Sequence, residues 1–135
     1  WSKTKMDDTE AENMNPWVQI AGPCYTVASM ARALGWSETE VLEAGNDLRL
    51  LMLRTEDGVD LFPSFQLQDG KIVDGLQGVL RVLQTGVNDS WTWAQWLNVE
   101  LPDADPPRNI TLLCKGRIEE AIRVAQHDAW AWSAP

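Results

Sequence analysis

A chain of 135 residues, 44% of them hydrophobic, is long enough to bury one compact core and too apolar to stay unfolded. No apolar run approaches the roughly 20 residues that a membrane span needs, so no membrane partner is expected. The net charge of −9 works against nucleic acid, where Lys and Arg must neutralise phosphates, and suits a basic protein partner.

Residues 1–20 are expected to be a flexible arm, polar and charged as far as "NMNP". The opening "WSKTKMDDTE" carries no hydrophobic leader, and a cytoplasmic location is expected. Cys24 and Cys114 stand apart without metal spacing and are expected to be free, buried thiols in a reducing compartment.

Residues 21–66 form the next unit. Thr26 caps a first helix with Val27, Met30, Ala31 and Leu34 at helical spacing, and Gly35 stops it. Ser37-Glu38-Thr39-Glu40 matches a capping box for a second helix that ends at Gly45. Helix, a short break at Gly-Trp-Ser, helix is the outline of a helix-turn-helix. Two β-like runs around Glu56-Asp57-Gly58 then suggest a hairpin or wing. The second helix carries Glu38, Glu40 and Glu43 and no Lys or Arg, so it would be repelled by the walls of a major groove. DNA is therefore a doubtful partner, and the pair reads more naturally as scaffold or homodimer interface.

Residues 67–135 are expected to be a compact helical domain. After an Asp69-Gly70 turn and a cap at Asp74, Leu76, Val79, Leu80 and Leu83 make one face of a helix stopped by Gly86. Asp89 or Ser90 caps the next helix, "DSWTWAQWLN". At about 100° per residue, Trp93, Trp96 and Leu97 share its inner side and Trp91 falls on the other. A loop with three prolines, "LPDADPPRN", leads to a short helix in "ITLLCKG". The last helix runs from near Arg117 toward Ala131 with Ile118, Ala121, Ile122, Ala125 and Ala129 inward. Trp130 then lies on the polar face with Glu119, Arg123 and Gln126, while Trp132 turns back toward the apolar stripe. An aromatic on a polar face is a candidate partner anchor.

Catalysis finds no constellation. His127 is the one histidine, and HExxH, CxxC, GxxxxGK and GxGxxG are all missing. No catalytic residue, metal or cofactor is expected, and the protein is read as a non-enzyme.

From Phe62 onward, the order of signals resembles the antitoxins of the Xre–MbcA–ParS class. The matching positions are Phe62, Pro63, Phe65, Gln66, Gly70, Leu76, Leu80, Trp96, Leu97, Leu113, Gly116, Arg117 and Ala125. With the helix pair and hairpin, the similarity covers roughly residues 21–129. Two features depart from that pattern: "NITLL" lacks the usual proline before the double leucine, and the second helix of the pair is acidic.

The resemblance implies a mainly α fold, a helix-turn-helix-like pair with a short β-hairpin followed by a helical toxin-binding domain. It implies a cognate toxin as partner, one with a RES domain that degrades NAD, silenced when the C-terminal helical domain covers its substrate pocket. On that footing the candidate partner contacts are Trp91, Arg117, Glu120, Arg123, Asp128, Trp130 and Trp132. The alternative is a DNA-binding transcriptional regulator using the helix-turn-helix-like region.

Overall fold

The computed structural model describes residues 21–133, so the expected arm at 1–20 lies outside the described residues. The chain enters on a short strand, β1 (Cys24–Thr26), and turns at once into α1 (Val27–Leu34). Thr26 makes that turn possible. Its hydroxyl accepts from the Ser29 N–H at 3.2 Å while the Ser29 hydroxyl accepts from the Thr26 N–H at 2.9 Å, a reciprocal box that satisfies two otherwise orphaned donors. Gly35, at φ 74°, ends α1 in the left-handed conformation that a side chain would resist. Ser37 then caps α2 (Glu38–Asn46), its hydroxyl accepting from the Glu40 N–H at 3.1 Å. The helix runs one residue past Gly45, which is buried against Met52 instead of ending it.

Strands β2 (Leu53–Arg54) and β3 (Asp60–Pro63) form the expected hairpin. Its turn is tied at both ends of Thr55: the N–H donates to the Val59 carbonyl at 2.9 Å, and the hydroxyl accepts from the Val59 N–H at 3.1 Å. The sequence pattern did not reveal β1. It adds to the far side of β3, giving an antiparallel sheet in the order β1–β3–β2. Helix pair and sheet enclose a cluster of Met30, Ala31, Val41, Ala44, Leu50 and Phe62.

Beyond a single 3-10 turn (Ser64–Gln66), β4 (Leu67–Gln68) and β5 (Lys71–Ile72) make a second hairpin where only a turn was expected. Asp69 and Gly70 have φ of 55° and 76°, the positive pair that a two-residue hairpin loop demands. The helical domain follows: α3 (Leu76–Gly86), α4 (Ser90–Asn98), α5 (Asn109–Cys114) and α6 (Ile118–Ser133). The molecule is thus mainly helical with short antiparallel β-structure.

One expected helix boundary moves. Asp74 is not the cap of α3; Gly75 is, at φ 87°, and a Cβ there would stand 2.7 Å from Ile118. The helix does end at Gly86, without a left-handed cap. Gly86 lies inside the last turn of α3, where a Cβ would sit 2.5 Å from the Ala129 carbonyl oxygen. Glycine there allows α3 and α6 to pack backbone to backbone, the most extensive helix contact in the molecule.

The apolar stripe of α3 is buried as its spacing predicts, with Val79, Leu80 and Leu83 all at 0% exposure. Trp93, Trp96 and Leu97 of α4 lie in the same cluster with Ala121 and Ala125 of α6. Ile118 and Ile122 are half-buried at its margin.

The division at residue 66 is not a seam. Leu51 and Leu53, from the N-terminal part, belong to the C-terminal cluster. Gln66, fully buried, holds them there. Its amide nitrogen donates to the carbonyls of Leu51 and Pro63, each at 3.0 Å, and its amide oxygen accepts from the Leu51 N–H at 2.8 Å. A buried amide with its hydrogen-bonding capacity used in this way fixes the path of both segments.

Candidate functional site

The seven candidate contacts do not gather into one patch. Trp91 is half-buried on α4, and its indole N–H donates to the Arg54 carbonyl in β2 at 3.2 Å. This is a tie between the helical domain and the hairpin. Arg117 and Glu120 stand at the first turn of α6 and bond to one another, with Arg117 Nε and Nη2 at 2.9 and 2.7 Å from one carboxylate oxygen. They neutralise each other at the surface, where such pairs contribute little to stability.

Asp128 is a core-side residue. Its carboxylate accepts from the Trp96 indole N–H at 2.6 Å, across the contact between α4 and α6. That bond satisfies the polar end of a tryptophan only 6% exposed. A signal for it was available: Asp128 lies seven residues after Ala121 and three after Ala125, on the inward stripe.

Of the remaining three candidates, Arg123 and Trp130 share the outer side of α6, and Trp132 lies on the other side near its end. Arg123 is exposed and forms no ion pair with any described residue. Trp130 is 69% exposed. Trp132, expected to fold back on the stripe, is 37% exposed and is not among the side chains packed against the core. An indole that remains in water gives up the burial that places its neighbours Trp93 and Trp96. Helix α6 has one face packed against α3 and α5 and another face that ends in this aromatic.

The helix-turn-helix half presents a different surface. The exposed side of α2 carries Glu38, Thr39, Glu43 and Asn46, and the hairpin tip carries Glu56 and Asp57. Its cations are largely spoken for. Arg49 Nε lies 3.0 Å from Asp47 and the guanidinium sits 6.0 Å from the centre of the Trp36 ring. That bond to Arg49 holds the Asp47 carboxyl below its ordinary range. Arg54 Nε lies 2.9 Å from Asp60. Arg32 alone of the three makes no ion pair with a described residue. A helix pair beside a short antiparallel sheet is present, and its exposed charge is opposite to the one phosphates require.

The cysteines are unpaired. Burial pushes the Cys24 thiol up to about 11 and raises that of Cys114, so neither is a thiolate at neutral pH. His127 is exposed and hydrogen-bonds to no described residue. Among the described residues no group of His, Cys, Asp and Glu is placed to hold a metal ion. No described helix is long and apolar enough to cross a membrane.

No family model and no curated protein matches the chain. Among solved structures, the NMR structure of Rv2175c superposes with a TM-score of 0.64 at 23% sequence identity, over 79% of this chain and 81% of that one. At that identity the likeness is one of fold: the chain is similar to Rv2175c in how its elements are arranged.

Proposed function

We propose that this is a binding protein without catalytic activity, whose outer α6 face docks a protein partner in the manner of an Xre–MbcA–ParS antitoxin. The partner on this reading is a RES-domain toxin that degrades NAD, and docking covers its substrate pocket. The observation that carries the proposal is Trp130, 69% exposed on a helix whose opposite face packs against α3 and α5. Large aromatics that stay in water on a well-packed helix are the side chains that anchor interfaces. Arg123 borders it, and the Arg117–Glu120 pair lies farther along the same helix, about 15 Å from Trp130 by the helical rise.

Calorimetric titration with a co-encoded RES-domain toxin tests this. Trp130→Ala should weaken binding by about 2 kcal/mol or more, the hot-spot range, while leaving the melting curve unchanged. Full binding by this variant would move the interface away from α6, toward Trp91 and the proline loop.

One observation favours a second reading, a DNA-binding regulator. The helix pair packs beside a three-stranded sheet, an arrangement like a helix-turn-helix with a wing. The charge of α2 and of the hairpin tip argues against that reading for the isolated chain, and a basic partner could supply what is missing. A mobility-shift assay on the protein's own promoter at about 150 mM salt separates the two. Tight, sequence-specific binding by the chain alone would reverse their order.

A further inference from the structure

Helix α6 carries two complementary groups that nothing described covers. Arg123 is exposed and has neither an ion pair nor a hydrogen bond with any described residue. Trp130 is 69% exposed. They stand seven residues apart, two helical turns, and so share one side of the helix about 10.5 Å apart along its axis. Between them the outer face offers Gln126 and His127, both exposed. No carboxylate lies on it between the two, because Asp128 is turned inward to Trp96; the exposed Glu119 stands one turn before Arg123, outside that stretch. On a chain of net charge −9 this is a stretch that two copies can bring together without opposing carboxylates.

We propose that the outer face of α6 binds the same face of a second copy, antiparallel and two-fold symmetric, with each Arg123 over the Trp130 ring of the other copy. The spacing fixes the register. A two-fold axis between residues 126 and 127 sets 123 opposite 130 and 126 opposite 127. The guanidinium–indole contact is thereby made twice, and the Gln126 amide meets the His127 imidazole twice. A guanidinium over an indole is among the favoured cation–aromatic pairs. One helix face is at the small end of what holds a stable dimer, so the association is weak and reversible. Two like-charged chains repel, so salt strengthens it, the reverse of an interface built on salt bridges. The inference does not rest on the toxin reading. It adds to it that self-association and partner docking compete for Trp130.

Sedimentation equilibrium of the full chain alone tests it, over roughly 5–500 µM and at low and high salt. The expected result is a monomer–dimer equilibrium that tightens as salt rises. Trp130→Ala and Arg123→Ala should each weaken it about tenfold, because one substitution removes both symmetric contacts. The exchange of Arg123→Trp together with Trp130→Arg should restore it, since the pair is then remade with its members swapped. Melting curves confirm that these surface variants remain folded. A chain that stays monomeric throughout overturns the proposal. So does a dimer that neither single substitution weakens, or an exchange that fails to recover what the single variants lose. Failure of a toxin to bind leaves this measurement untouched, as it contains only this chain.

Discussion

The two hydrophobic clusters are stabilised in different ways. The N-terminal one is small and its helices are defined locally: Thr26 with Ser29, Gly35, and Ser37 with Glu40 all act within four residues of one another. The C-terminal one is larger, and distant residues define it. Trp96 reaches Asp128, Asn109 donates to the Trp96 carbonyl at 2.9 Å, and the Trp93 indole N–H donates to the Val87 carbonyl at 2.8 Å. Gln66 joins the two clusters, and so do the Trp91 bond to Arg54 and a Gln77 bond to the Asp47 carbonyl at 3.1 Å. Local rules build one half, and long-range polar bonds lock the other half to it.

The largest test of that contrast is Trp96→Ala. It opens a cavity in the C-terminal cluster and leaves the Asp128 carboxylate without its donor, so a loss of about 3–5 kcal/mol is expected in denaturant melts. An unchanged melting temperature would mean that Trp96 is not core. Next comes Gln66→Leu, which keeps the volume and strands the Leu51 N–H and carbonyl. It should cost roughly 2–3 kcal/mol and split a single unfolding transition into two, visible as non-coincident fluorescence and circular-dichroism curves. One sharp transition in that variant would show that the clusters are coupled by packing alone.

Thr26→Ala should cost about 1 kcal/mol through the lost cap. Hydrogen exchange should locate the effect in α1 and leave α3 and α6 protected, which is what a locally held half predicts. Equal loss of protection across both halves would erase the distinction. The smallest effect is expected from Trp91→Phe, about 0.5–1 kcal/mol for one net hydrogen bond. Its signature is faster exchange at the β2–β3 hairpin, with α4 unchanged.

What the sequence reveals follows the same division. Caps and tight turns are decided within a few residues, so Thr26, Ser37 and Asp69-Gly70 are readable in isolation. Periodicity exposes the stripe of α3 and the inward tryptophans of α4, because burial follows the 3.6-residue repeat. The features that escape depend on residues far along the chain. Strand β1 is three residues long and is identified only by its pairing with β3. Asp74 looks like a cap until Gly75 is seen to be pressed against Ile118. Asp128 looks like surface charge until the Trp96 indole is placed beside it. Of the candidate contacts, the polar-face reading of α6 found the exposure of Arg123 and Trp130. The same periodicity places Asp128 on the inward stripe with Ala121 and Ala125, a signal outweighed by its charge.

Gly86 carries one more consequence. With the Ala129 backbone so close there, a side chain at 86 would push α6 away from its seat on α3. The glycine acts as an indexing pin: it sets the axial position of a helix that begins more than thirty residues later. Position 129 is already alanine, so a side chain at 86 has little to be traded against. Any lineage that acquired one would have to shift α6 bodily, and the shift would carry Trp130 to a new place in space. The location of the exposed indole is thus written in part on another helix.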